Sequence, residues 1–355
     1  MRKSCLQMCF VSLVIVLLVA GCRNYYAEGS VRELAAYNAV PESVEHSPLP
    51  GELIGDPLDN PSATIISNRA TISLGGRLEN YSVNGGSITA TGSIVGLGSA
   101  GARLFLTLGD GWSVAGGVRR LGSFAYEIGE GERFIELEGD LWGGGASISW
   151  GKELRLGLGV EGLYGGWSYR AESPDDDKRE DSATLSGLRW RVALGWSNSD
   201  WALGAVLASR VDLSRGPGLP WEGRVWFFLP LAAENGDRLQ LQLIGGANGW
   251  EGTARFTGTA GQYLSAMLAS SFLGRGGLRW LLREGIQIEV GAELATYPII
   301  EGNDRLLYPS YALAVGFGSA WRWRGEAIYR HLGGQAGDLI DATTLELRLR
   351  LETSL

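Results

Sequence analysis

Residues 343–352 read TTLELRLRLE, with leucine at 345, 347, 349 and 351 and an ionised side chain at 346, 348, 350 and 352. Wound into a helix, this set would be smeared around the whole circumference. A strand sends successive side chains to opposite faces, so a period of two collects the four leucines on one side. The segment is therefore read as a strand with one apolar and one charged face. A soluble sandwich strand also has two unlike faces, so the surroundings have to be settled by the rest of the chain.

The same period recurs from about Arg69 onward. LRWRVALGW (188–196), RLQLQL (238–243), GIQIEVGAEL (285–294) and LRLGLGV (154–160) each set aliphatic or aromatic residues against Arg, Glu, Gln or Gly. Short turn-like connectors occur at 109–111, 151–153, 197–200, 234–237 and 282–285, with a tight reversal near Arg322–Arg324. Longer ones alternate with them, at roughly 128–132, 171–181, 214–220, 251–262, 298–307 and 333–340. This spacing predicts about fourteen antiparallel strands in an all-β, up-and-down arrangement over 69–355, with both ends on the short-turn side. An even strand count with short turns at one end and long loops at the other is the pattern of a bacterial membrane barrel.

Tryptophan separates lipid from a protein core. Trp112, Trp150, Trp196, Trp201, Trp280, Trp321 and Trp323 all fall within a few residues of a short turn. An indole has an apolar body and one N–H donor, so it favours the depth of lipid headgroups, where barrels carry an aromatic girdle. A sheet in lipid must also pair all its backbone groups, which requires closure into a barrel. On this reading the leucines of TTLELRLRLE face hydrocarbon and its charges face a polar interior. The last residue, Leu355, departs from the aromatic terminal residue common in such barrels.

The N-terminus adds an address. Arg2 and Lys3 precede an apolar run from Phe10 to Ala20 that ends in Val19-Ala20-Gly21-Cys22. This reads as an export signal over 1–21, and a cysteine just after the cut resembles a bacterial lipoprotein signal, with Cys22 as the acylated residue. Cys5 and Cys9 lie within the signal, so no intramolecular disulfide is expected in the mature chain. Residues 22–68 carry Pro41, Pro48, Pro50, Pro57 and Pro61 with no sustained period, as a lipid-anchored tether or a hatch would. The expected location is the outer membrane of a diderm bacterium, with its lipid as a partner.

Composition excludes other classes. The formal charge is −8 and Lys3, Lys152 and Lys178 are the only lysines, so no nucleic-acid surface is expected. The two histidines, His46 and His331, stand apart, and no nucleophile and base pair is recognisable, so neither enzymatic activity nor a metal or other cofactor is expected. Asp175, Asp176 and Asp177 with Glu180 and Asp181 read as a solvated outside loop.

ASISWGKELRLGLGVEGLYG (146–165), a strand, a tight turn and a glycine-punctuated strand, resembles a motif of the FadL-like outer-membrane barrels. These include transporters of fatty acids and hydrophobic compounds and their spirochaetal and PorV-like relatives. RWRVALGWSNSDWALGAVL (189–207) looks like the next repeat, and DNPSAT (59–64) is similar to the Asn-Pro-Ala stretch near the family's N-terminus. The resemblance covers roughly 56–355. It implies a fourteen-stranded barrel blocked by an N-terminal hatch that would include Asn60 and Pro61, with hydrophobic ligands leaving sideways at a kinked strand, placed here at Gly143-Gly144-Gly145. Candidate lumen-lining residues are Arg155, Glu161, Arg189, Arg191, Arg224, Arg238, Glu289 and Glu293, which either fill the interior by pairing or line a path. The implied function is passive transport of hydrophobic small molecules such as fatty acids. The alternatives are a structural or secretion-associated barrel that scaffolds protein partners, and a general porin.

Overall fold

Fourteen consecutive strands hydrogen-bond to their chain neighbours, all antiparallel, and the last returns to the first. They are β1 (Arg69–Asn84), β2 (Thr89–Gly109), β3 (Trp112–Glu130), β4 (Arg133–Gly151), β5 (Leu154–Ser173), β6 (Asp176–Ser197) and β7 (Ala202–Ala208), then β8 (Trp221–Glu234), β9 (Asp237–Gly249), β10 (Ser271–Leu281), β11 (Gln287–Pro298), β12 (Arg305–Phe317), β13 (Trp321–Gly334) and β14 (Ile340–Ser354). Closure is made by β14 on β1, from Ile340 opposite Val83 to Ser354 opposite Arg69. The computed structural model describes these strands with residues 110–111, 152–153, 198, 201, 209–211, 282, 285–286, 318 and 355 of their connections, and before them Leu49, 55–63, Ile65 and 67–68. Three short segments, Ala27–Glu28, Thr253–Thr257 and Tyr263–Met267, form a separate small sheet. The export signal over 1–21, Cys22 and His46 lie outside the described residues.

Alternation explains both surfaces. On β14, Leu345, Leu347 and Leu349 are exposed while Thr344, Glu346 and Arg348 are buried. On β5, Leu154, Leu156, Leu158, Val160 and Tyr164 face out. At about 3.3 Å per residue and a tilt near 40°, that row spans roughly 25 Å, the height of a barrel's apolar band. Trp112 and Trp150 pair across β3 and β4 with ring centroids 6.1 Å apart, and Trp196 meets Trp201 edge-on at 4.5 Å. Trp112, Trp150, Trp280 and Trp323 are exposed at the short-turn end. A closed sheet with apolar side chains outside and arginines and carboxylates inside inverts the arrangement of a protein dissolved in water, and hydrocarbon is the medium it suits.

The connections differ from the expected ones in several places, among them 251–262, which holds the strand Thr253–Thr257. β12 ends at Phe317 and is followed by Gly318 with φ +112, and Arg322–Arg324 already belong to β13. The segments at 128–132 and 171–181 are mostly strand: β3 runs to Glu130 against Arg133, and β5 to Ser173 against Asp176. Asp176, Asp177, Glu180 and Asp181 are thus strand residues, and Arg170 lies 3.8 Å from Glu180 across the hairpin. Strand pairing continues beyond the apolar band, and a charged hairpin in water has the composition of a loop. Nor do the three glycines at 143–145 break the sheet. Both ladders run through them in register, while the neighbouring irregularity is on β3, between Arg120 and Gly122.

The wall is uneven. β2 to β6 have 19 to 22 residues each and β7 has seven. Beyond Ala208 the chain turns inward: the Ser209 N–H donates to the Trp190 carbonyl at 2.9 Å, and Val211 is buried among Leu121, Leu141, Leu163 and Leu185. This apolar cluster lines the inner wall of the tall side.

Candidate functional site

Residues 56–63 fold as a compact, plug-like run of turns against the inner wall of the barrel. The Asp56 carbonyl accepts the N–H groups of Asp59 (3.1 Å) and Asn60 (2.7 Å), and its Oδ1 accepts that of Leu58 at 3.0 Å. The Asn60 carbonyl accepts the Ala63 N–H at 2.8 Å, and its Oδ1 accepts the Ser62 hydroxyl at 2.7 Å. An Asp or Asn directly before a proline is the local chemistry for such successive turns: the side chain bonds its own backbone and the ring fixes the next φ. Asn60 is buried.

The wall beside the plug is made of glycine. A Cβ added at Gly157 would collide with the Pro61 carbonyl group, and one at Gly159 would stand 3.1 Å from Pro61 Cγ. One at Gly195 would stand 2.9 Å from Ser62 Oγ. The glycines of β5 and β6 therefore give up side-chain volume where the plug backbone meets the sheet.

Charge fixes the plug to that wall. Arg119 Nη1 donates to Asp59 Oδ2 at 2.5 Å and Arg119 Nε to Glu161 Oε1 at 2.8 Å. Arg191 Nη2 donates to Glu161 Oε2 at 2.7 Å and lies 3.8 Å from Asp59 Oδ1. These four side chains are 1–4% exposed. Two guanidinium groups and two carboxylates sum to no net charge, which is the condition for holding ions away from water. Asp56 adds a second tie, 3.0 Å from Arg103 Nε.

Further networks coat the rest of the interior. Glu222 receives Arg189 at 2.9 Å and Arg224, Glu289 sits between Arg279 and Arg324, and Glu293 meets Arg275. Glu346 receives Arg330 at 3.0 Å and Arg348 at 2.8 Å. Of the candidates named from sequence, Glu161 and Arg191 thus meet at the plug, Arg189 and Arg224 share one acid, and Glu289 and Glu293 lie in separate networks. Arg155 sits near the short turns, and Arg238 is exposed at the turn end of β9, apart from these networks, below a register slip at Leu239/Gln240. Sequence reasoning missed Asp56, Asp59, Arg103 and Arg119. The one signal was that Asp59 opens the DNPSAT stretch; its partners lie at least 60 residues away.

The inner row of β5 orders these layers. Arg155 comes first, then Gly157 and Gly159 under the plug, Glu161 in the charged latch, and Leu163 in the apolar cluster. From turn end to loop end, the tall wall presents a cation, a plug, a charge lattice and an apolar patch.

No protein-family model matches the chain and no curated relative matches it. Solved structures do match. A Pseudomonas aeruginosa FadL homologue superposes with a TM-score of 0.63 at 10% identity, over 86% of this chain and 96% of its own. The Pseudomonas putida toluene transporter TodX gives 0.62 at 11% identity, covering 93% and 98%. The Ralstonia pickettii toluene transporter TbuX gives 0.58 at 10%, covering 86% and 94%. The chain has the FadL-type fold. At such identities the likeness is one of architecture.

Proposed function

We propose that the protein is an outer-membrane channel for passive passage of hydrophobic small molecules, fatty acids among them, and that residues 22–68 hold its lipid anchor at Cys22 and its hatch. The observation that carries this reading is the plug: residues 56–63 lie inside the barrel, tied through Asp56 and Asp59 to Arg103, Arg119 and Arg191, next to an apolar inner patch. An open porin has no use for a buried plug, which disfavours that alternative. The neighbours described as toluene transporters support the ligand class, and the leucine surface and tryptophan girdle support the membrane.

The test is uptake. A diderm host lacking its own uptake proteins for hydrophobes, and expressing the full chain in its outer membrane, is expected to take up labelled dodecanoate or toluene faster than a control. In planar bilayers the same protein is expected to show little ion conductance. Uptake equal to the control, or a steady open-pore conductance, would overturn the proposal.

A further inference from the structure

Arg155 differs from the arginines of the networks above, each of which shares a carboxylate. It is 7% exposed, on the inner row of β5 just above the 151–153 turn. Its Nη2 donates to Ser113 Oγ at 2.6 Å and Ser149 Oγ at 2.7 Å, and its Nη1 to the Gly151 carbonyl at 3.1 Å. Among the described residues no carboxylate reaches it, and its Nε–H has no acceptor. A buried cation without an anion is costly, and hydroxyl and carbonyl dipoles offset only part of that cost.

The serines count the other way. Ser113 Oγ and Ser149 Oγ lie 2.7 Å apart and both are buried. Both oxygens accept from the guanidinium, and one of their two hydroxyl protons is used between them. One hydroxyl proton, the second Nη1–H and the Nε–H remain to be donated. The cluster is therefore a positive charge with three hydrogens left to donate, which suits a group that is negative and accepts more than one hydrogen bond.

We infer that Arg155, Ser113 and Ser149 form a carboxylate-binding site at the short-turn mouth of the barrel, below the plug. This rests on the proposed function and gives the hydrophobic ligand an acidic head. The carboxylate could come from a tailed ligand passing the plug or from a small acid in solution. The site is on the plug's turn side, since Gly157, two residues along the same row, is where Pro61 touches the wall.

The full chain in nanodiscs would be titrated calorimetrically with octanoate, octanol and acetate. Octanoate is expected to bind roughly ten- to a hundred-fold more tightly than octanol, the effect of a charge-assisted pair. In Arg155→Gln the ratio is expected to fall to near one, and in the Ser113→Ala/Ser149→Ala double variant, which keeps the cation, to fall part of the way. Arg155→Lys, with its charge but not its fork, covers the case in which the glutamine variant does not fold; its ratio is expected to lie between the two. Acetate competing with octanoate supports a site for free carboxylates, and octanoate bound without acetate competition supports one for a tailed acid. A wild-type ratio near one, or a ratio indifferent to Arg155, overturns the inference. If octanol binds and octanoate binds no better, the site alone fails; if neither binds, the proposed function fails.

Discussion

Replacing Asp59 by Asn isolates the plug from the barrel. The side chain keeps its shape and loses its charge, leaving the guanidinium groups of Arg119 and Arg191 to share Glu161 alone. With Arg119 and Asp59 only 1% and 4% exposed, removing one partner of such a pair costs about 3–5 kcal/mol. At 1.4 kcal/mol per decade, the undocked fraction of the plug rises between about a hundred- and a few thousand-fold. Asp59 belongs to no barrel strand and β14 closes on β1 without it, so the loss is expected in plug docking, not in the barrel. A Ser62→Cys reporter, buried against Gly195 when docked, would be labelled with a soluble maleimide and followed by mass spectrometry of its own peptide. When redocking outpaces labelling, the rate tracks the open fraction. The variant is expected to label at least a hundred times faster while its barrel keeps its folded mobility on unheated gels. An unchanged rate would refute the latch, and simultaneous loss of the folded band would show that plug and barrel are one cooperative unit.

Gly157→Val places a Cβ on the Pro61 carbonyl group while its strand pairs with Ser149 and Ala193 persist; labelling of the same reporter is expected to rise with the folded gel band retained, and an unaltered rate would show that the plug does not rest there. Leu347→Arg puts a charge on the outer face, where the leucine is 59% exposed. Urea unfolding from lipid vesicles is expected to show a loss of about 2–4 kcal/mol, whereas a water-facing position would change by no more than about 0.5 kcal/mol, and that smaller result would remove hydrocarbon from the account.

The barrel was legible because a period of two is kept along strands such as β5 and β14: Leu345 and Glu346 cannot exchange faces without a register slip that would turn every side chain over. Loop lengths were less legible, since Asp176 to Asp181 are polar whether they pair or not, and only the ladder with β5 shows that they do. The glycines at 143–145 illustrate a second limit. Glycine weakens a strand and also makes room, and sequence does not separate the two. Here a Cβ at Gly143 would lie 2.5 Å from Glu161 Oε1, so the missing side chain leaves space for the latch carboxylate. The alternation assigns Glu161, Arg189 and Arg191 to one class of face, but the identity of each partner depends on closure and on the path of residues 56–63, which have no periodicity to read.

The choice of arginine for the interior follows from the same geometry. Lys152 lies in a turn and Lys178 on the extended β5–β6 hairpin, while the inner cations of the networks are arginines. A guanidinium has two donating edges, and Arg119 uses Nε for Glu161 on the wall and Nη1 for Asp59 on the plug; an ammonium, a point charge on a flexible stem, lacks that fixed fork. Without the plug, Glu161 stays between Arg119 and Arg191 with one positive charge in excess there, and Arg103 is left without Asp56. That excess is cancelled only by a returning carboxylate or another anion, in a site where the low dielectric makes the imbalance expensive. An apolar seat would hold the plug by contact area alone and leave the wall neutral once it was vacated. The charged seat leaves the vacated wall higher in energy, which favours the docked arrangement.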